Sequence, residues 1–263
     1  MEGPAGPLAG RAAHRRRLAL LALLASSRTG SLTREKIVGY LWPETASGPA
    51  RHNLSVAKSE LRKELGERAF VSTGDELALD PAVVGSDVAE FEAALRAGDD
   101  AGAVELYRGP FLDGFYVDDA PAFEQWMHAE RDRLALEYAA ALERLAERAE
   151  AAGDADEAAR WWRQAAAHDP CGSRAALRLM RALDAAGDRA AAIRAFAAHA
   201  AALREELEME PEPEVAALAA RLRTAPRPAP PAPAGEPAGE PVVPPAPVDV
   251  PAPETVRREP ALP

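Results

Sequence analysis

The sequence carries an internal repeat whose period constrains its fold more than any other feature. The segment Ala-Ala-Gly-Asp occurs at residues 151–154 and again at residues 185–188, an offset of 34 residues. The same offset relates residues 158–162 to residues 192–196, and both segments begin with Ala and end with an aromatic residue. This period predicts stacked helix pairs, because the small Ala lets two helices approach closely and the aromatic side chain fills the groove between them.

The repeat is typical of tetratricopeptide (TPR) helices and dominates a predicted helical domain at residues 83–223. Two repeats bury too little surface to be stable alone, so the flanking helices are expected to cap them. One of these is a long helix from Pro121 to about residue 151. Trp161 and Trp162 are neighbours on one helix, so we expect one of them to be partly exposed. The aromatic residues of this domain are expected mainly in the core, with the lining of a ligand cleft as the alternative: Phe111, Phe115, Tyr116, Phe123, Trp126, Trp161, Trp162 and Phe196.

Residues 224–263 form a third region with a different composition. Fourteen of these 40 residues are Pro, and Ala, Glu and Val make up most of the remainder. Such a segment buries too little apolar surface to fold, which predicts a disordered Pro/Ala-rich tail or linker.

Charge is distributed unevenly along the chain. The formal net charge is −11, but residues 1–80 hold 12 Lys and Arg against 9 Asp and Glu, a net of +3. Subtraction from the totals of 31 and 42 leaves 19 basic and 33 acidic residues beyond residue 80, a net of −14. A mildly basic head joined to an acidic body suits a chain whose head alone meets a polyanion.

The basic head is predicted to contain three helices followed by a hairpin. A first helix is predicted over residues 15–27, and a second begins after an N-cap at Thr33 and stops at Pro43. A third helix is predicted over residues 50–66, and two short strands flank a turn at residues 74–75. This order is that of a winged helix-turn-helix, predicted at residues 1–82, in which the third helix lies in the DNA major groove and the hairpin is the wing.

The apolar run near the amino terminus admits a second interpretation. Basic residues at 14–17 precede the apolar residues 18–25, an order that also occurs in export signals. The run is too short to span a membrane, so no membrane partner is expected. We interpret it as a core helix, with export as the alternative. Cys171 is the only cysteine, which excludes an intramolecular disulfide and favours the reducing cytoplasm.

The third helix carries the candidate DNA-binding residues. Basic side chains bind phosphates or guanine edges, and Ser and His hydrogen-bond to either. We expect one group to face DNA: Arg51, Ser55, Lys58, Ser59 and Arg62. Further candidates are His52 and Lys63 on the same helix, Arg34 and Lys36 on the second helix, and Thr73 in the wing. The alternative for each is ordinary solvated surface, above all in the wing, whose tip carries Asp75 and Glu76.

Other function classes lack their motifs. The sequence contains no Gly-rich phosphate loop, no Walker lysine motif and no Gly-x-Ser-x-Gly elbow. The five histidines are scattered, and none lies at metal-ligand spacing from Cys171. We therefore expect no catalytic residues, no cofactor and no metal.

Three segments together resemble a known family: "ARHNLSVAKSELRKELG", "LYRGPFLDGFYVDDAPAFEQWMHAERDRL" and "LREELEMEPEPEVAALAARL". They are similar to the bacterial transcriptional activator domain (BTAD) regulators, the AfsR-like or SARP group, over about residues 10–223. The resemblance implies a mainly α protein with an OmpR-type winged helix-turn-helix and a TPR-like domain. It also implies a transcription activator that binds repeated promoter half-sites in double-stranded DNA as a homodimer and recruits RNA polymerase.

One departure from the family concerns the start of the chain. The family's winged helix follows a small leading sheet, whereas residues 1–10 show no strand-like alternation. We expect either a start codon assigned too late or a lost sheet, and a lost sheet would leave the first helix without a cover. The alternative function is then a TPR-like protein-interaction scaffold whose truncated head no longer binds DNA.

Overall fold

The computed structural model describes residues 15–224 and two short strands ahead of them, β1 (Glu2–Gly3) and β2 (Gly6–Pro7), which pair antiparallel. Each strand is only two residues long, so these strands do not contradict the prediction of a head that lacks most of the usual leading sheet. The predicted disordered tail lies outside the described residues, apart from its first residue, Thr224.

From residue 15 onward, the head forms the three predicted helices and an antiparallel sheet, in which one further short strand joins the two strands of the predicted hairpin. The first helix ends two residues earlier than predicted. The third helix begins three residues earlier than predicted, because Pro49 is tolerated in the first turn of a helix. The sheet order is β3-β5-β4. The elements are α1 (Arg15–Ala25), β3 (Leu32–Thr33), α2 (Arg34–Leu41), α3 (Ser47–Leu65), a 3₁₀ turn (Glu67–Ala69), β4 (Phe70–Thr73) and β5 (Glu76–Leu79).

Local sequence explains how these elements begin and turn. The Thr33 side chain accepts a hydrogen bond from the Lys36 backbone N–H at 3.3 Å, which confirms the predicted N-cap of α2. β4 and β5 pair from Phe70 opposite Leu79 to Thr73 opposite Glu76. Gly74 opens the two-residue turn between them with a φ of 60°, a conformation that favours Gly.

The remaining described residues are almost entirely helical. The helices are α4 (Asp87–Ala97), α5 (Asp100–Leu106), α6 (Pro121–Ala151), α7 (Ala155–His168), α8 (Ser173–Ala185), α9 (Arg189–Glu206) and α10 (Pro213–Thr224). The 34-residue repeat builds equivalent turns: Asp154 caps α7 at the Glu157 N–H, and Asp188 caps α9 at the Ala191 N–H, each at 2.9 Å. Packing of the repeat is as predicted, since Ala158 and Ala192 are both fully buried.

The core of the head extends beyond the head's own sequence. Apolar residues of α1, α2 and α3 pack in one cluster with Val117, Ala120, Phe123 and Met127, which lie in and before the start of α6. Arg16 on α1 adds a polar link, because its guanidinium donates to the carbonyl oxygen of Asp118 at 2.8 Å. The loop before α6 therefore contacts α1, and the start of α6 belongs to the same apolar cluster as α1.

A buried ion-pair cluster fastens α5 to α6. Asp100 is 3% exposed, and its carboxylate accepts hydrogen bonds from Arg144 at 2.6 Å and Arg148 at 2.7 Å. Burial alone would raise the pKa of this carboxyl, but the two arginines outweigh burial and hold the pKa below its ordinary value.

Two expectations about aromatic residues were wrong. Trp161 and Trp162 are both buried. Trp162 fills the helical core. Trp161 is covered by the guanidinium of Arg160, which lies 4.0 Å from the centroid of its ring. Each indole N–H is satisfied by a carboxylate. Tyr116, by contrast, is exposed, and its ring lies under the guanidinium of Arg15 at 3.6 Å.

Candidate nucleic-acid interface

One face of α3 anchors the helix to the head. Its buried side chains recur at intervals of three or four residues, which places them on one side of a helix with 3.6 residues per turn. They belong to the same cluster as the apolar residues of α1 and α2, and they are Ala50, Leu54, Ala57, Leu61 and Leu65. Because this face is fixed, the orientation of every other residue of α3 follows from its position.

The residues opposite the buried face form an outer row, defined as His52, Val56, Ser59 and Lys63. Their spacing of four, three and four residues keeps them in one line along the helix. All four are exposed. Lys63 pairs with Glu60 at 2.7 Å, and that glutamate lies on the flank of α3 nearer to α1, where it also approaches Arg17 at 4.0 Å. The outer row therefore faces solvent on the side of α3 opposite its packed face.

A second line of residues lies between the outer row and the wing. This wing-side row, defined as Arg51, Ser55, Lys58 and Arg62, has the same spacing as the outer row. Arg51, Ser55 and Lys58 line a cleft of about 290 Å³ together with Arg34 of α2 and Asp75 of the wing. The structure therefore brings residues from three elements, all predicted from sequence to lie near DNA or at the wing tip, around one cleft.

Positive charges accumulate in this cleft. Partial burial lowers the pKa of the Lys58 ammonium, and the positive charges of Arg62 and Arg34 lower it further. Arg51 is exposed, and no described residue forms an ion pair with it. The cleft therefore holds the positive charges of Arg34, Arg51 and Lys58 together with the single carboxylate of Asp75.

Arg62 is held closer to the fold than its neighbours in the wing-side row. It is half-buried, and its Nη2 donates to the backbone carbonyl of Phe70 at 3.4 Å, which links α3 to the first wing strand. This contact leaves Arg62 less free to extend than Arg51, which lies three turns away at the start of the row.

The wing is tied to α2 rather than extended away from it. The Arg34 side chain donates to the carbonyl oxygen of Gly74 at 2.7 Å and lies 3.7 Å from the Asp75 carboxylate. Glu76 accepts a hydrogen bond from the Ser31 hydroxyl at 2.6 Å. Thr73 is exposed next to this acidic tip, and Lys36 is exposed on α2. Arg34 therefore offsets part of the negative charge of the tip, whereas the Ser31 hydroxyl provides Glu76 with a hydrogen-bond donor.

Val56 was not among the residues singled out from sequence. A large apolar residue on the solvent side of an amphipathic helix is the signal that would have identified it, since the buried face was already assigned to other positions. Within the described residues, no group of His, Cys, Asp and Glu has the arrangement of a metal site. No helix among them is long and apolar enough to cross a membrane.

A comparison with known protein families shows to which family the chain belongs. The family model of the bacterial transcriptional activator domain matches residues 79–223, which is more than half of the 263 residues. The chain belongs to the bacterial transcriptional activator domain family. The matched BTAD region starts at the end of β5 and extends through α4 to nearly the end of α10. It therefore includes the start of α6, which completes the core of the head.

A solved structure shows a similar fold. It is that of Mycobacterium tuberculosis EmbR in complex with a low affinity phosphopeptide, with a TM-score of 0.55 and 22% sequence identity. The alignment covers 81% of this chain and 60% of the EmbR chain, so this BTAD protein spans about three fifths of EmbR. The likeness concerns the fold alone. No curated protein matches the sequence.

Proposed function

We propose that this BTAD-family chain is a transcription regulator that binds double-stranded DNA by placing α3 in the major groove. One observation carries the proposal. The outer row and the wing-side row together contain eight residues, among them two arginines and two lysines, and none of the eight is acidic. A helix with one buried face and an acid-free opposite surface matches the negative charge and the width of the major groove.

The two rows are assigned different roles. The outer row lies opposite the packed side of α3, so His52 and Ser59 are placed to meet base edges. The wing-side row and its cleft concentrate positive charge, so Arg51, Lys58 and Arg34 are placed to meet phosphates. Lys36, Lys63 and Thr73 are proposed as further backbone contacts, and Arg62 chiefly holds the first wing strand.

The wider role of the chain rests on its family. The family description, a bacterial transcriptional activator domain, supports a role in transcription. We propose that the chain activates transcription by contact with RNA polymerase in the bacterial cytoplasm, which is binding rather than catalysis. A single winged helix makes few contacts, so useful affinity requires two copies on repeated half-sites. We therefore propose a homodimer on DNA, with residues beyond β5 supplying the contacts between copies or with the polymerase.

The test is a binding measurement with the full chain on duplexes selected from a randomised library. Fluorescence anisotropy at a series of salt concentrations gives the number of phosphates neutralised. Arg51→Ala is expected to weaken binding and to lower the salt slope by about one. Arg163→Ala is the matched control, since Arg163 is an exposed arginine of α7, and it is expected to change neither quantity.

Two outcomes would contradict the proposal. The first is a selection that enriches no sequence while circular dichroism and amide protection show a folded head. That result would favour a TPR-like protein-interaction scaffold. The second is an equal loss of affinity for Arg51→Ala and Arg163→Ala, because a general reduction in positive charge would then explain the binding.

A further inference from the structure

Val56 is an unusual residue for its position on α3. The structure describes every residue of α3, and Val56 is the one large apolar side chain of this helix that is exposed, at 47%. It contributes nothing to the packing of the head, whose buried α3 residues lie on the opposite face. Val is also a weaker helix former than Ala, Lys or Glu, so neither packing nor helix propensity accounts for it.

The neighbours of Val56 are residues that hydrogen-bond. His52 lies one turn before it and Ser59 one turn after it in the outer row. An apolar group between two polar groups, on the surface opposite the buried face, suits a target that also alternates polar and apolar groups. The major-groove edge of DNA has this character, because thymine presents a C5-methyl group next to hydrogen-bonding atoms.

We infer that Val56 contacts the C5-methyl group of a thymine in the major groove and is a specificity-determining residue. The inference rests on the proposed function, since it requires α3 to lie in that groove. Val is suited to the task because its branched side chain is stiff and presents two methyl groups without rotamer loss. Arg51 and Lys58 supply affinity for any sequence, whereas Val56 makes the protein prefer A·T pairs at one position of the half-site.

Exchange of thymine for deoxyuridine isolates this contact. The exchange removes only the methyl group and preserves base pairing and the O4 acceptor. Full-length protein is first used to select a duplex from a randomised library, and each dT of that duplex is then replaced singly by dU. Burying one methyl-sized group contributes about 0.8 kcal/mol, which is a roughly fourfold change in affinity. Wild-type protein is expected to bind at least one dU duplex about fourfold more weakly than the dT duplex.

Two variants show whether Val56 is the cause. Val56→Ala removes both γ-methyl groups and is expected to lose most of the fourfold preference for dT at that position. Val71→Ala is the matched control, because Val71 is equally exposed, at 46%, but lies on the wing strand β4. It is expected to retain the fourfold preference for dT. Thermal unfolding of both variants confirms that they remain folded.

The results separate this inference from the proposed function. Specific binding without any loss on dU duplexes would overturn the role of Val56 and leave DNA binding established. Retention of the dT preference by Val56→Ala would do the same. A selection that enriches no sequence would overturn both the proposed function and this inference.

Discussion

Substitution of Phe123 by Ala tests whether the start of α6 is part of the DNA-binding head. Phe123 is the third residue of α6, lies outside the predicted head at residues 1–82, and is fully buried. It packs in the cluster that contains the apolar faces of α1, α2 and α3. Its ring centroid lies 5.3 Å from that of Trp126 and 6.1 Å from that of Phe115. We expect Phe123→Ala to destabilise α1 and α3 although neither helix is changed.

The magnitude follows from the burial of the ring. Replacing a fully buried Phe by Ala costs about 3–5 kcal/mol through lost transfer free energy and the cavity left behind. A domain of this size has a total stability of roughly 5–15 kcal/mol, so the loss is a large fraction of it. An equal loss in the free energy of opening would speed amide exchange in the head by roughly 100-fold to 4,000-fold.

Hydrogen exchange followed by mass spectrometry measures this effect separately for each peptide. Peptides from α1 and α3 are expected to lose protection in Phe123→Ala. Trp162→Ala is the matched control, because Trp162 is also fully buried but belongs to the second core cluster, around α7 and α8. This control is expected to lose protection first in α7 and α8.

The reasoning would be refuted by one pattern of exchange. If Phe123→Ala left α1 and α3 as protected as in the wild type, while only α6 lost protection, the head would be stable without α6. The common cluster would then be a contact between two independently stable units, and another feature would have to cover the first helix.

Three further predictions concern stability and the wing. Asp100→Asn should lower the free energy of unfolding by about 1.5–3 kcal/mol at neutral pH in urea titrations, because charged hydrogen bonds to Arg144 and Arg148 are weakened. The Asp100 pKa is depressed below its ordinary value in the fold, so this stabilisation is present above the unfolded-state pKa and is lost as pH falls through the folded-state value. The difference from Asp100→Asn should therefore shrink in acid, and a constant difference would contradict the assignment. Thr33→Ala should cost about 0.5–2 kcal/mol in thermal unfolding and Thr33→Ser much less, because only the hydroxyl caps α2. Arg34→Ala should speed amide exchange at the wing tip, because the Arg34 guanidinium donates a hydrogen bond to the Gly74 carbonyl oxygen. Amide exchange in α8 should stay unchanged. Unchanged exchange at the tip would show that the wing needs no such anchor.

Local and periodic features of the structure followed from the sequence. The 34-residue offset predicted two equivalent closely packed alanines, and both are buried, because a repeated segment in a repeated environment folds the same way. The two equivalent N-caps at Asp154 and Asp188 were seen only in the structure. The N-cap at Thr33 and the turn at Gly74 were also predictable, since each depends on the chemistry of one or two residues. The strand β3 was missed, because two residues are too few to show alternation.

The surface of α3 was only partly predictable. Its buried spacing set which residues face outward, and the candidate residues from Arg51 to Lys63 were identified on that basis. The division into an outer row and a wing-side row required the position of the wing, because the wing decides which flank of the helix is enclosed. The tethering of Arg62 to the Phe70 carbonyl has the same origin.

The sequence by itself determined the helical class, the repeat, the basic head and the buried face of α3, because these depend on composition and spacing along the chain. Only the tertiary structure decided that the head's core is completed by residues near Phe123, that Trp161 and Trp162 are both buried, and that Arg34 reaches the wing. The physical reason is that such contacts join residues far apart in sequence. The burial and the electrostatic surroundings of these residues depend on where distant elements pack, and local sequence patterns do not contain this information.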